Sequence, residues 1–198
     1  MNKKTGNIPG VILAAGEGKR IGKNKALIKI DGTSFLELVT DSLRDGGCDS
    51  IIVVGGASSD EVKKLSEKLG VIFVLNENWQ KGQFSSLKTG LSSINEKQSR
   101  LMITLVDHPF VNQNTYHRLI KESFDNPDHI IIPIYEARRG HPIIIPKLII
   151  DEVISAPDDS ILRDIIFNHK ELIHELVVED PGILRDIDVK EDIIKMSE

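Results

Sequence analysis

A glycine-rich segment near the start of the chain carries residue types that bind phosphate. It runs from Leu13 to Lys25 with the sequence LAAGEGKRIGKNK and contains three glycines. Glycines let backbone N–H groups approach an anion closely, and turns of this kind bind phosphate. Arg20 would add a planar guanidinium and Lys25 a compact positive charge for phosphate oxygens. Taken alone, the segment predicts either an anion site or a surface turn with solvated charges.

The spacing of these glycines excludes two better-known phosphate motifs. Gly16 and Gly22 enclose five residues and are followed by Lys-Asn, whereas a Walker A loop encloses four and continues with Lys-Ser or Lys-Thr. Gly18 and Gly22 enclose three residues, whereas the dinucleotide-binding fingerprint requires two. A dinucleotide-dependent oxidoreductase is therefore a distant alternative.

Two acidic segments could carry chemistry, and the first of them, at Asp107, suits a magnesium ion. Asp107 follows the apolar run 101–106, and ligands of open α/β sheets bind at the carboxyl ends of strands. Magnesium prefers one or two carboxylates together with substrate phosphates and water. Asp186 and Asp188 share one face of an extended segment near the end of the chain. The alternative roles are a turn or helix cap for Asp107 and a helix cap for Asp188.

Two further segments could contact a substrate. A turn at Gly82 leads into a predicted helix with Ser86 in its first turns, where a nucleotide could be held. A basic turn contains Arg139 and His141 and could meet a second phosphate. A solvated loop is the alternative for both segments, and His141 is a weak candidate for acid–base chemistry because the chain has six histidines.

Short apolar runs alternate with amphipathic stretches and predict the elements that position these residues. The runs are continuous, as expected for strands that are covered on both faces. The predicted strands are 8–14, 50–54, 71–75, 101–106 and 129–134, and the predicted helices between them are 34–45, 58–69, 83–94 and 112–124. This alternation indicates an α/β fold, a three-layer, doubly wound and mainly parallel sheet with helices on both sides.

The regular alternation of predicted strands and helices ends after residue 134. Residues 141–146 form an apolar run bounded by prolines, which predicts an edge or antiparallel strand. A helix at 159–168, a strand at 172–178 and a last helix at 190–196 complete the prediction. The chain is predicted to be a single domain over residues 1–198, with residues 1–7 as a flexible tail.

The amino-acid composition argues against several classes of protein function. The chain has 198 residues and a net charge of -5, which argues against a general nucleic-acid binder because such proteins are usually basic. Cys48 is the single cysteine, which excludes an internal disulfide and a cysteine-rich metal site. The apolar runs are shorter than the roughly 20 residues that a membrane helix needs. The expected location is the cytoplasm.

Taken together and in order, five segments resemble the MobA-like NTP transferases, which include molybdenum cofactor cytidylyltransferases and guanylyltransferases. The resemblance covers nearly the whole chain and implies a Rossmann-like fold of the nucleotide-diphospho-sugar transferase type. The five segments are LAAGEGKRIGKNK, NENWQKGQFSSLKTGL, VDHP, RRGHPIII and PGILRDIDVKED.

The resemblance implies a role for each matching residue. Arg20, Lys25 and Asp107 would be catalytic, and Asp107 and Asp188 would hold Mg²⁺. Acceptor binding would fall to Arg139, His141 and Arg163. The nucleotide would be bound by Leu13, Ala14, Ala15, Gly16, Gly18, Arg20, Lys25, Gly82 and Ser86.

The predicted reaction transfers CMP from CTP to a phosphorylated acceptor of the molybdopterin type and releases pyrophosphate. The paired alanines Ala14 and Ala15 resemble the cytidylyltransferase branch and favour CTP over GTP. Transient docking to a molybdoenzyme or its chaperone is expected, and neither nucleic acid nor membrane is an expected partner.

Departures from the family pattern leave alternatives open. Ile161 and Leu162 replace small residues of a D-x-G-A-R stretch near the acceptor, and His108 replaces the commoner Gln or Met. The alternatives are a GTP-using guanylyltransferase, a nucleotidyltransferase for a sugar phosphate or another small molecule, and a catalytically silent nucleotide-binding module.

Overall fold

The computed structural model describes residues 8–19 and 21–187. Its first half alternates strand and helix as predicted. The strands are β1 (Pro9–Leu13), β2 (Lys29–Ile30), β3 (Thr33–Ser34), β4 (Ser50–Gly55), β5 (Ile72–Leu75) and β6 (Arg100–Leu105), and the helices are α1 (Phe35–Gly46), α2 (Ser59–Lys68), α3 (Gln83–Ser92) and α4 (Gln113–Asp125).

The second half adds four strands and two helices. They are β7 (Ile130–Tyr135), β8 (Arg138–Arg139), β9 (Ile143–Pro146), α5 (Lys147–Ser155), α6 (Leu162–Asn168) and β10 (Ile173–Val177). The predicted helix 190–196 and the predicted tail 1–7 lie outside the described residues.

The main sheet has the strand order β10-β7-β9-β6-β1-β4-β5, with β8 paired to β7. Strand β1 pairs in parallel with β4 on one side and β6 on the other. The chain moves outward from β1 to β5 and then returns to place β6 beside β1, so the order reverses between these two strands. Such a switch point opens a crevice at the carboxyl ends of the strands, where α/β proteins bind ligands.

Helices cover both faces of the sheet, which confirms the three-layer prediction. One core packs α1, α2 and α4 against the sheet through residues such as Leu43, Val62 and Leu119. The other packs α3, α5 and α6 through residues such as Leu87 and Val153. No helix of the described residues is long and apolar enough to cross a membrane.

Three details of single elements add to or depart from the predictions. The run 141–146 was predicted as an edge or antiparallel strand, and β9 is antiparallel, which confirms the second alternative; it lies between β6 and β7. Strand β5 lies at one edge of the sheet and leaves Ile72 53% exposed, so the prediction that it is covered on both faces was wrong. Helix α5 was missed because its apolar stripe follows the apolar run of β9 with only Pro146 and Lys147 between them in the sequence.

Candidate functional site

The glycine-rich segment forms a loop at the carboxyl end of β1, beside the switch point. It walls a cavity of about 440 Å³ together with residues that follow β6 and residues of the turn before α3. The predicted nucleotide-binding residues that line this cavity are Leu13, Ala14, Ala15, Gly16, Gly18, Lys25, Gly82 and Ser86, and Asp107 lines it too. Arg20 lies outside the described residues, and its predicted role stays a prediction.

Lys25 and Asp107 meet at this cavity from 82 positions apart in the sequence. Lys25 Nζ lies 2.7 Å from Asp107 Oδ2, and the two side chains are 17% and 22% exposed. Partial exclusion of water strengthens the attraction between opposite charges. The pair places a cation and a carboxylate within reach of one polyphosphate.

The segment that leads to Asp188 lies beside Asp107. The backbone N–H of Ile187 donates to the Asp107 carbonyl at 3.0 Å, and Ile187 is fully buried. Asp180 fixes the preceding turn, because its carboxylate accepts hydrogen bonds from the Thr115 hydroxyl at 2.6 Å and the Gly182 N–H at 2.9 Å. Asp188 itself lies outside the described residues, so its role as a metal ligand stays a prediction.

Asn24 holds the end of the loop, a role that sequence reasoning missed. Its buried side-chain amide donates to the carbonyls of Ala14 at 3.2 Å and Ala57 at 2.8 Å, and its oxygen accepts from the Ala26 N–H at 2.9 Å. These bonds join the loop to the segments that follow β1 and β4. Lys25 is the next residue, so Asn24 positions it.

A second buried asparagine, Asn76, organises the turn before α3. Its amide donates to the hydroxyls of Ser85 and Ser86, both at 2.9 Å, and its oxygen accepts from the Asn78 N–H at 2.9 Å. Ser86 thereby reaches the cavity wall. Lys88, on α3, donates to the Ala156 carbonyl at 2.7 Å.

Two glycines of the loop, Gly18 and Gly16, differ in whether the fold has room for a side chain at their positions. Gly18 has a φ of +66°, and a Cβ there would lie 1.9 Å from the Lys23 carbonyl oxygen, whereas a Cβ at Gly16 would meet no atom within 4 Å. We expect Gly18→Ala to destabilise the fold by about 1–3 kcal/mol through backbone strain. Gly16→Ala should keep wild-type stability and weaken nucleotide affinity, because its methyl group would occupy cavity space.

Urea denaturation and nucleotide titration of both variants measure these effects. Equal losses of stability at Gly16 and Gly18 would contradict the distinction.

A second and larger cavity, of about 730 Å³, adjoins the first and shares the wall residues Leu13, Gln83 and Leu105 with it. All three predicted acceptor-binding residues, Arg139, His141 and Arg163, line this second cavity. Arg139 Nε lies 2.7 Å from Glu175 Oε1 at the surface. The described nucleotide-binding candidates therefore line the first cavity, and the acceptor-binding candidates line the adjoining second cavity.

Two histidines pack together between Asp107 and the second cavity. The ring centroids of His108 and His141 are 5.5 Å apart. Burial lowers the pKa of His141 to about 4, and the neighbouring His108 ring adds to this effect. Burial also lowers the pKa of His108, although Asp107 and Asp186 oppose the shift. Both rings are neutral at pH 7, which makes them hydrogen-bonding groups rather than fixed cations.

Acid should destabilise the protein through these histidines. Between the unfolded-state pKa near 6.5 and the native value of about 4 for His141, the unfolded chain binds a proton that the native chain does not. The free energy of unfolding therefore falls as pH falls through this window, by up to about 3 kcal/mol for a shift of this size. Urea denaturation at several pH values should show a shallower dependence for His141→Gln. The exposed residue His117 provides the control, and His117→Gln should follow the wild-type slope.

The carboxylate of Asp107 fits a bound magnesium ion. Among residues 8–19 and 21–187, no group of three or more His, Cys, Asp or Glu side chains could hold a metal. Magnesium does not need such a group, because it is commonly held by one or two carboxylates, substrate phosphates and water. Asp107 would be the described ligand, and the ion would neutralise phosphate charge when bound.

An open, mainly parallel sheet with a glycine-rich loop at its switch point and two adjoining cavities there is the architecture of a ligand-binding α/β protein. The model of the MobA-like NTP transferase domain family matches residues 10–172. The chain belongs to this family, whose members transfer a nucleotide from a nucleoside triphosphate to a phosphorylated acceptor and release pyrophosphate.

Full-length relatives carry different names. The chain is 27% identical to the nicotine blue oxidoreductase of Paenarthrobacter nicotinovorans over 96% of each chain. It is 23% identical to the molybdenum cofactor cytidylyltransferase of Escherichia coli over 95% of this chain and 94% of that one. A solved nucleotidyl transferase from Methanothermobacter thermautotroptrophicus superposes with a TM-score of 0.81 at 20% identity, covering 96% of this chain and 95% of that one. These identities leave the substrate open.

Proposed function

We propose that the protein transfers CMP from CTP to a phosphorylated acceptor of the molybdopterin type in a magnesium-dependent reaction. The observation that carries the proposal is the Lys25–Asp107 pair, 2.7 Å apart beside the glycine loop. The paired alanines Ala14 and Ala15 and the similarity to a cytidylyltransferase support CTP as the donor.

The proposed reaction is an in-line displacement at the α-phosphorus of the NTP. An oxygen of the acceptor's phosphate forms a new P–O bond, the bond from the α-phosphorus to the bridging oxygen breaks, and pyrophosphate leaves with the electron pair. A phosphate monoester is already anionic at neutral pH, so the reaction needs no strong general base. The chain's contribution is positioning and charge neutralisation.

Different residues would position the substrates and neutralise the phosphate charge. Lys25 would contact phosphate oxygens, and Asp107 would orient Lys25 and hold Mg²⁺. Backbone N–H groups near Gly16 would face the polyphosphate. The shared wall at Leu13 and Leu105 lies between the cavities, where the acceptor phosphate would meet the α-phosphorus.

A pyrophosphate-release assay tests this proposal. It crosses the four NTPs with a molybdopterin-type acceptor and with sugar phosphates, each with and without Mg²⁺. We expect release with CTP and the molybdopterin-type acceptor, and no release without Mg²⁺. Release only with GTP or with a sugar phosphate would reassign the substrates, and nucleotide binding without any release would identify a silent nucleotide-binding module.

A redox reaction is the second candidate, and one observation favours it. A relative that is 27% identical over 96% of this chain bears an oxidoreductase name. The reaction would reduce a quinoid dye at the expense of a two-electron donor. Gly18 and Gly22 lack the spacing of the dinucleotide-binding fingerprint, so NADH and NADPH serve as test donors. Following nicotinamide oxidation in the presence of quinoid dyes separates this candidate from nucleotide transfer.

A further inference from the structure

The second cavity has an apolar floor. Six side chains from the sheet, α3 and α6 form it, each at most 9% exposed: Phe84, Leu87, Ile103, Ile132, Ile143 and Ile166. A hydroxyl group buried against such a surface loses its hydrogen bonds to water and gains no partner, which costs free energy. The floor therefore suits an apolar ligand body better than a polyhydroxylated one.

Apolar side chains continue from the floor to the mouth of the cavity. Ile161, Leu162 and Phe167, here called the apolar rim, line the same space. Ile161 is 52% exposed and Phe167 is 70% exposed. Large apolar groups that stand in water beside a cavity mark a binding surface. The rim would cover the outer face of a ligand whose inner face lies on the floor.

Ion pairs hold the segment before the rim against α3. The Asp158 carboxylate lies 3.0 Å from Lys81 Nζ and 3.1 Å from Lys88 Nζ. Lys88 Nζ also donates to the Ala156 carbonyl at 2.7 Å. These contacts join residues 156–158 to Lys81 and to α3, directly before the rim.

The arginines of the cavity lie at its mouth, Gln83 lies at its junction with the first cavity, and the neutral His141 ring lines it as well. Arg139 and Arg163 have side chains 52% and 87% exposed, so they can receive an anion at the surface. A ligand whose apolar part packs against the floor of the second cavity can therefore place its phosphate group at the junction with the first cavity.

We propose that the apolar rim determines acceptor specificity and selects phosphate monoesters with an apolar body over those with a polyhydroxylated body. This inference rests on the proposed function, because it treats the second cavity as the acceptor site. It assigns Ile161 and Phe167 as specificity-determining residues.

The test compares two esters of the same shape. Cyclohexylmethyl phosphate and glucose 6-phosphate each carry a six-membered ring and a CH₂–O–phosphate arm, and they differ chiefly in the ring hydroxyls. Calorimetry on the full chain, with Mg²⁺ and a non-hydrolysable CTP analogue, gives the two dissociation constants. We expect the cyclohexyl ester to bind at least about tenfold more tightly, as for small apolar differences in other pockets.

Variants link this preference to the rim. The double variant Ile161→Ser and Phe167→Ser changes two exposed side chains and should reduce the affinity ratio by about threefold or more, while the unchanged floor still favours the apolar ester. Leu148→Ser is the matched control, because Leu148 is 54% exposed on α5 and lines neither cavity. This control should keep the wild-type ratio.

The results separate this inference from the proposed function. Equal affinity for the two esters, no measurable binding of the cyclohexyl ester, or an unchanged ratio in the double variant would overturn the role of the rim. The proposed function fails separately, if pyrophosphate release is absent with every NTP and acceptor while the affinity ratio still depends on the rim.

Discussion

We expect the replacement of Lys25 or Asp107 by alanine to lower turnover by at least about 100-fold, the usual cost of losing one electrostatic group that stabilises a transition state. Lys25 would neutralise phosphate charge, and Asp107 would position Lys25 and hold the metal. The two side chains are 2.7 Å apart and act on one substrate. Their effects should therefore overlap, and the double variant should be much less impaired than the product of the two losses implies.

Steady-state pyrophosphate release measures this prediction, and thermal unfolding shows that the variants are folded. Lys64→Ala is the control, because Lys64 is exposed on α2 and lines neither cavity. It removes the same charge and should leave turnover unchanged. Near-wild-type activity of the Lys25 and Asp107 single variants would remove both residues from the mechanism.

Asn24→Ala should destabilise the protein by about 2–4 kcal/mol. The side chain is 2% exposed and makes three hydrogen bonds to the backbone. Alanine would leave two carbonyls and one N–H without these partners, and each buried unpaired polar group costs about 1–3 kcal/mol before relaxation. Nucleotide affinity should fall as well, since the end of the loop that carries Lys25 loses its hydrogen bond to Ala57.

Urea denaturation and CTP titration measure the two effects of Asn24→Ala. The control is Asn95→Ala, because Asn95 accepts a hydrogen bond from the Lys97 N–H at 3.0 Å in an exposed turn. Water can replace that bond, so the change should cost less than about 1 kcal/mol. Similar losses for both asparagines would contradict a special role of Asn24.

The sequence predicted most of the parallel half of the fold, for a local reason. Strands covered on both faces are continuous apolar runs, and the helices between them carry stripes with a helical period. Ser34, for example, forms the capping box with Glu37 that begins α1. Each such signal lies within a few residues and needs no knowledge of distant contacts.

The second half was harder to predict because its pairing is not local. The run 143–146 reads as an antiparallel strand, but only the tertiary arrangement places it between β6 and β7. The β-strand propensity of such a run is similar whether the strand lies at an edge or at the centre of the sheet. The exposure of β5 has the same origin, since nothing in residues 72–75 shows that no strand follows on that side.

In the candidate site, charged groups were predictable and supporting groups were not. Lys25 stood out as a cation of the glycine-rich segment, and Asp107 stood out as a carboxylate directly after an apolar strand. Asn24 and Asn76 carry no charge, and their roles depend on carbonyls and hydroxyls that only folding brings near. The predicted roles of Arg20 and Asp188 stay predictions.

The wall that the two cavities share at Leu13, Gln83 and Leu105 has a consequence for the end of the catalytic cycle. A molecule that joins nucleotide and acceptor would occupy both spaces at once, and tethering makes binding of its second half intramolecular. The conjugate would leave more slowly than either starting compound. Turnover would then be limited by product departure, and a stable mimic of the joined molecule would be a stronger inhibitor than a mimic of either half.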